Sequence, residues 1–166
     1  MRWPSRRASA VPSDLRERLG IPARERILAW GGRPHVVAAT ERALYVEEPR
    51  ERLGWDVVSK AQWDDPLLTI QIAAHDGRPA RTLRLRVEAS GDLPAAVRDR
   101  VTASVVMSEF VDLGDGVRAR MVARRAGDDA PIRWTVVFES GVPADDPELQ
   151  ARASAALAEL RSTLGI

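Results

Sequence analysis

Apolar residues recur at every second position along most of this chain, and at every third or fourth position in only a few places. Ile27-Leu28-Ala29-Trp30 is followed by Gly31-Gly32-Arg33-Pro34, a run that no strand interior tolerates, so a first strand ends there. The stretch VVAATERALYVEE follows. Wound as a helix, its apolar residues would cover every side. Laid out as two strands, Val36 to Thr40 and Ala43 to Glu48, they flank a polar break and predict a hairpin, although Glu41-Arg42 is not a favoured two-residue turn pair. In RLGWDVVSKAQW, Leu53, Trp55, Val57, Ser59, Ala61 and Trp63 share one parity, which predicts one long half-buried strand closed by Asp64-Asp65-Pro66. Leu68, Ile70 and Ile72 then alternate with Thr69 and Gln71. After the turn His75-Asp76-Gly77, Leu83, Leu85 and Val87 alternate with Arg84, Arg86 and Glu88. Six short strands with tight polar turns indicate an antiparallel meander or barrel rather than βαβ units.

The pattern then changes period. Asp92 supplies an N-cap, Pro94 suits a first turn, and Leu93, Val97, Val101 and Val105 form one stripe, which predicts a helix. Val105 to Leu113 fits either period, and its β-branched density with the Asp115-Gly116 turn favours a strand. Val117, Ala119, Met121 and Ala123 alternate with arginines, and Ile132, Trp134, Val136 and Phe138 form a last alternating run. A terminal helix is capped by Asp145 or Asp146, carries Pro147 and Glu148 in its first turn, presents Leu149, Ala153, Leu157, Leu160 and Leu164, and stops at Gly165. Near the other end, Ser13 or Asp14 predicts a cap for a short helix over Leu15 to Leu19, with Asp14 and Glu17 at capping-box spacing and Gly20 and Pro22 ending it. Residues 1–12 read as a flexible arm.

Within this frame, "ATERALYV" and "LGWDVVSKAQWDD" resemble the bacterial pleckstrin-homology and GRAM-like barrels, through the Thr-x-x-x-Leu segment Thr40 to Leu44 and the aromatic and aliphatic pair Trp55 and Val58. The order of elements from Arg26 to about Val105 is similar to that family over roughly half of the chain. More loosely, the chain resembles uncharacterised actinobacterial proteins that end in an RW-V-F-like strand and a helix after DDP, and this brings no activity with it. The resemblance implies an α+β fold, a mainly antiparallel PH-like barrel followed by an amphipathic helix, with a C-terminal β-hairpin and helix. The expected divisions are an arm and short helix over 1–24, the barrel and its helix over 25–105, and strands with a terminal helix over 106–166, packed on the barrel as one unit. Eukaryotic lipid-binding members carry several basic residues around the first hairpin. Here GGRPH offers only Arg33 and His35, which argues against inositol-phosphate recognition.

Composition narrows the function classes. A chain of 166 residues with 45% apolar and 30% charged residues can bury a core of its own, and the absence of cysteine excludes disulfides and thiolate chemistry. Lys+Arg of 25 against Asp+Glu of 24 gives a net charge of +1, without the basic excess of a nucleic-acid binder, and Lys60 is the only lysine. The basic start lacks the roughly 7–15-residue apolar run of a signal peptide, and no window approaches the ~20 apolar residues of a membrane span, so the expected compartment is the cytoplasm.

Gly114-x-Gly116-x-x-Ala119 matches a dinucleotide fingerprint on paper, but the glycines precede a strand-like alternation and predict a hairpin turn. His35 and His75 are not spaced as metal ligands on one element, and no nucleophile elbow, P-loop or calcium loop occurs. Neither a cofactor nor a metal nor enzymatic activity is expected. The arginines of 81–86 and of 118–125 could form a cationic sheet face, but single-strand binders interleave such charge with aromatics, and none is expected on the outward side of these strands. Arg33, His35, Trp63, Arg118 and Arg120 remain as the residues offering an interaction surface. Two functions fit: a non-enzymatic interaction or scaffold module that binds a protein or its own copy as a homodimer, or a barrel holding a small molecule or lipid in an apolar pocket.

Overall fold

Helix stripes find their partners locally, and the computed structural model, which describes residues 10–166, divides into two compact units. The first takes in the chain up to Ser104 and the segment Arg125–Pro131; the second comprises Val105–Arg124 and Ile132–Ile166. The arm expected over residues 1–12 lies, apart from its last three residues, outside the described residues.

In the first unit, β1 (Ile27–Gly31), β2 (Val37–Thr40), β3 (Ala43–Val46) and β4 (Glu51–Gly54) form one antiparallel sheet in chain order. A second antiparallel sheet follows from β5 (Val58–Asp64), β6 (Leu67–Ile72) and β7 (Arg81–Arg86). The long strand expected across residues 53–63 is therefore two strands. A turn at Trp55-Asp56-Val57, closed by the Val57 N–H to the Gly54 carbonyl at 3.1 Å, separates them. Both Val57 and Val58 are buried, although strict alternation would have put Val58 outside. The reason is the core: Leu44, Leu53, Trp55, Val58, Ile70 and Leu85 from both sheets pack together with Leu93 and Val97 of α2 (Leu93–Ser104). The α2 stripe ends at Val101, because Val105 opens the next strand and is exposed.

The hairpin over residues 37–46 is buried at every strand position. One face meets the shared core; the other, through Ala38, Ala43 and Tyr45, is covered by Leu15 and Leu19 of α1 (Leu15–Leu19) and by Ile21. That double cover explains why VVAAT and ALYV are nearly continuous apolar runs. The Asp14 side chain makes no cap hydrogen bond, so the spacing with Glu17 produces no capping box. Gly20 ends α1 in the left-handed conformation at φ 69°. The two sheets meet at a corner where the His35 N–H donates to the Arg86 carbonyl, the Glu88 N–H to that of Arg33 and the Val87 N–H to that of Pro66. Gly31 sits in that corner. A Cβ there would lie 2.8 Å from Val87 Cγ1 and 3.1 Å from the Ser90 Cα, so only glycine fits.

In the second unit, β8 (Val105–Asp112), β9 (Arg118–Arg124) and β10 (Arg133–Phe138) form an antiparallel sheet with β9 central. One face of it carries α3 (Pro147–Leu164). Met121 and Ala119 are fully buried there with Leu149 and Ala153, and Trp134, Val136 and Leu157 pack around them. Asp146 caps α3, accepting the Glu148 N–H at 2.8 Å, and Gly165 ends it at φ 71°. Leu164, expected on the buried stripe, is 42% exposed, because the helix runs past the sheet core. Gly114 and Gly116 lie in the β8–β9 turn with positive φ, as a hairpin requires, and open no helix.

The mixed α+β class with antiparallel sheets is thus what this chain forms. Its ten strands, among the described residues, fall into three sheets and do not close into one continuously paired barrel.

Candidate functional site

An antiparallel sheet ends in strands whose outer N–H and C=O groups lack a ladder partner. In the three-stranded sheet of the first unit, β5 is such a strand, paired with β6 alone among the described residues. Trp55 fixes where it starts: its indole Nε1 donates to the Thr40 carbonyl at 3.0 Å, pinning the β4–β5 turn onto the hairpin. Ala61 stands opposite Ile70 and Trp63 opposite Leu68, so both partly buried side chains face the core side. Helix α2 runs beside this edge. Between them lies a groove of about 360 Å³, lined by Ala61, Gln62, Trp63, Leu68, Val97 and Arg98 with Pro94 and Ala95. Its floor is apolar, and the exposed side chain of Arg98 stands at its flank. An edge strand beside an apolar trough can accept an extended segment: main-chain hydrogen bonds hold it, and alternate side chains enter the trough.

A second hollow of about 460 Å³ is polar, lined by Arg26, Glu41, Arg42, Arg100, Asp128 and Asp129. Four of its six charged residues pair within it. Arg42 pairs with Asp129 at 2.8 Å and Arg26 lies 4.0 Å from Glu41. Hydrogen bonding from Arg42 is the main influence that lowers the Asp129 carboxyl below its usual range.

The residues expected to offer a surface do not converge. Arg33 is exposed in the β1–β2 connection with φ 69°, and His35 is half-buried beside it; neither lines either of these hollows. Trp63 lines the groove. Arg118 and Arg120 belong to β9 of the second unit, whereas Arg81, Arg84 and Arg86 belong to β7 of the first, so they lie on separate sheets. Arg118 pairs across strands with Glu139 at 3.0 Å. The arginine strands carry no outward aromatic of their own, but the neighbouring β8 supplies one: Phe110 is 61% exposed, and the Arg118 guanidinium lies 5.6 Å from its ring centre. Arg124 is buried, and burial pulls its guanidinium below the usual range.

Sequence reasoning missed one buried charge. Glu25 is 3% exposed and accepts the Thr40 hydroxyl at 2.8 Å and the Tyr45 hydroxyl at 3.0 Å, with Arg52 at 3.8 Å. Burial pushes the Tyr45 phenol up, the Arg52 hydrogen bond pulls it back, and Glu25 adds to the rise. The Thr40 hydroxyl also accepts the N–H groups of Arg42 and Ala43, which shapes a turn that Glu41-Arg42 alone would not favour. No buried side-chain nitrogen or oxygen among the described residues is left without a partner, and this network ties the segment leading into β1 to the β2–β3 hairpin. Nothing in the charged run ARER marks Glu25 as the buried member. Phe110 did carry a signal, since it shares parity with Ser108 and Asp112 rather than with Val111 and Leu113.

Compared with known proteins, the chain matches no family model, no curated protein and no solved structure.

Proposed function

We propose that this chain is a non-enzymatic interaction module with a PH-like first unit, and that it takes an extended peptide segment of a protein partner in the groove between β5 and α2. The observation that carries the reading is the coincidence of an edge strand with an apolar trough at the same place: Trp63 and Leu68 from the sheet and Val97 from the helix. The order of two antiparallel sheets followed by a helix, with Leu93 and Val97 in the shared core, supports the PH-like assignment. Arg98 beside the trough favours a segment that flanks its apolar anchor with acidic residues. The other reading, a small molecule or lipid held inside the barrel, needs space where Trp55, Leu53, Ile70 and Leu85 are packed at 1% exposure or less.

The test is titration of ¹⁵N-labelled full chain with short peptides that alternate leucine or valine with glutamate. Amide shifts confined to β5 and α2, together with movement of the Trp63 indole resonance, are expected. Trp63→Ala should weaken binding at least tenfold while the far-ultraviolet spectrum is retained. Shifts spread over other surfaces, or equal binding by the variant, would overturn the reading.

A further inference from the structure

The second unit has an edge of a different kind. Strand β8 pairs with β9 alone among the described residues, and six of its eight positions are exposed. The exposed positions include Val105 at 37%, Val106 at 48% and Phe110 at 61%. Three of the six are apolar, and a long edge of that kind left open is a template for a further strand. We infer that β8 pairs antiparallel with β8 of a second copy of this chain across a two-fold axis at Ser108, joining two three-stranded sheets into one of six strands.

The register follows from the residues. Centred on Ser108, the pairing sets Val106 opposite the partner's Phe110 and Met107 opposite the partner's Glu109, so apolar meets apolar on the outer face and no like charges oppose. Centred on Glu109 it would place two carboxylates face to face and Val106 against Asp112. Centred on Met107 it would set Phe110 against Ser104, which belongs to α2. Shifts by half a residue would bring side chains of opposite faces together. Val106 shares the parity of Ser108 and Phe110 and so completes the outer apolar pair, and the bulge between Val105 and Met107 brings Val105, opposite Arg124, to that same side. A strand that is self-complementary about one residue suits an isologous contact, and a net charge of +1 sets little repulsion against it. This contact is independent of the β5–α2 groove.

Light scattering of the full chain over the micromolar range should give twice the 18.3 kDa chain mass. Val106→Lys should raise the dissociation constant at least tenfold. Val137→Lys, on the same face but on β10, should leave it within about twofold. The chain has no cysteine, so Ser108→Cys supplies one thiol per copy. Directly opposed strand residues stand about 4.5–5.5 Å apart between Cα atoms, within disulfide reach. Oxidised glutathione should therefore convert this variant to a covalent dimer much faster than Ser154→Cys, placed on the exposed side of α3. A mass of 18.3 kDa that persists with concentration overturns the proposal. So does equal loss of dimer in Val106→Lys and Val137→Lys, or cross-linking of Ser108→Cys no faster than that of Ser154→Cys. Should Val106→Lys misfold, the cross-linking comparison decides alone.

Discussion

In the first unit, β2 and β3 are buried at every position; in the second, β8 is exposed at six of eight. The difference is one of cover. The four-stranded sheet has a core on one side and α1 on the other, so its middle strands can be apolar throughout. The three-stranded sheet of the second unit has one helix on one face, and its second face shows Phe110 and Val137. The edges differ in the same direction. Exposed β5 positions carry Lys60, Gln62 and Asp64, residues that discourage indiscriminate pairing, and α2 lies beside them. Exposed β8 positions carry Val105, Val106 and Phe110 among Ser108, Glu109 and Asp112. A guarded edge with a trough suits a chosen peptide, whereas an open apolar edge suits its own copy.

The sharpest way to break this contrast is to remove its support in the first unit. Trp55 is 1% exposed, packs in the core shared by both sheets and holds the hairpin through its indole. Trp55→Ala should cost about 3–5 kcal/mol, read from the denaturant midpoint. A loss below about 1 kcal/mol would mean that the two sheets do not depend on one core.

The second unit should respond less. Met121 is fully buried beneath α3, but its neighbours Leu157 and Leu160 are only partly buried, so the site can close over a lost side chain. Met121→Ala is expected near the lower end of the usual range, about 2 kcal/mol. A cost matching that of Trp55→Ala would show the second core to be as tightly filled as the first, and the open face could then not be traced to thinner cover.

Much of this contrast was legible in the sequence, and the parts that were not share a cause. The hairpin of residues 37–46, both long helices and the alternation of Ala119, Met121 and Ala123 follow from periodicity, because each element faces one core. Periodicity failed where a side chain meets a core through a turn. Val57 and Val58 are both buried at the β4–β5 bend, which a count of two per repeat reads as one strand running on. Trp63 stands out by its place near a strand end, but the trough around it also needs α2, whose approach no local pattern encodes. Glu25 was illegible because its partners, Thr40, Tyr45 and Arg52, lie 15 or more residues away.

The smallest effect concerns the segment that returns from the second unit to the first. Residues Arg125–Pro131 follow β9 yet belong to the first unit, where Asp129 meets Arg42 of the β2–β3 turn at 2.8 Å. The pair is exposed, so its contribution at neutral pH is slight. Its sign is nevertheless fixed. The Arg42 hydrogen bond lowers the Asp129 carboxyl below its unfolded value, so between the two values the unfolded chain binds more protons. The tie is therefore complete above the unfolded carboxylate range, near pH ~4–5, and is lost as the pH falls through the lowered value. The carboxyl resonance of Asp129 should titrate below the usual aspartate value. The parent should unfold at slightly higher urea than Asp129→Asn at pH 7, with the gap closing on acidification. A midpoint at or above the unfolded value, or a gap that widens in acid, would mean that Arg42 does not hold this segment.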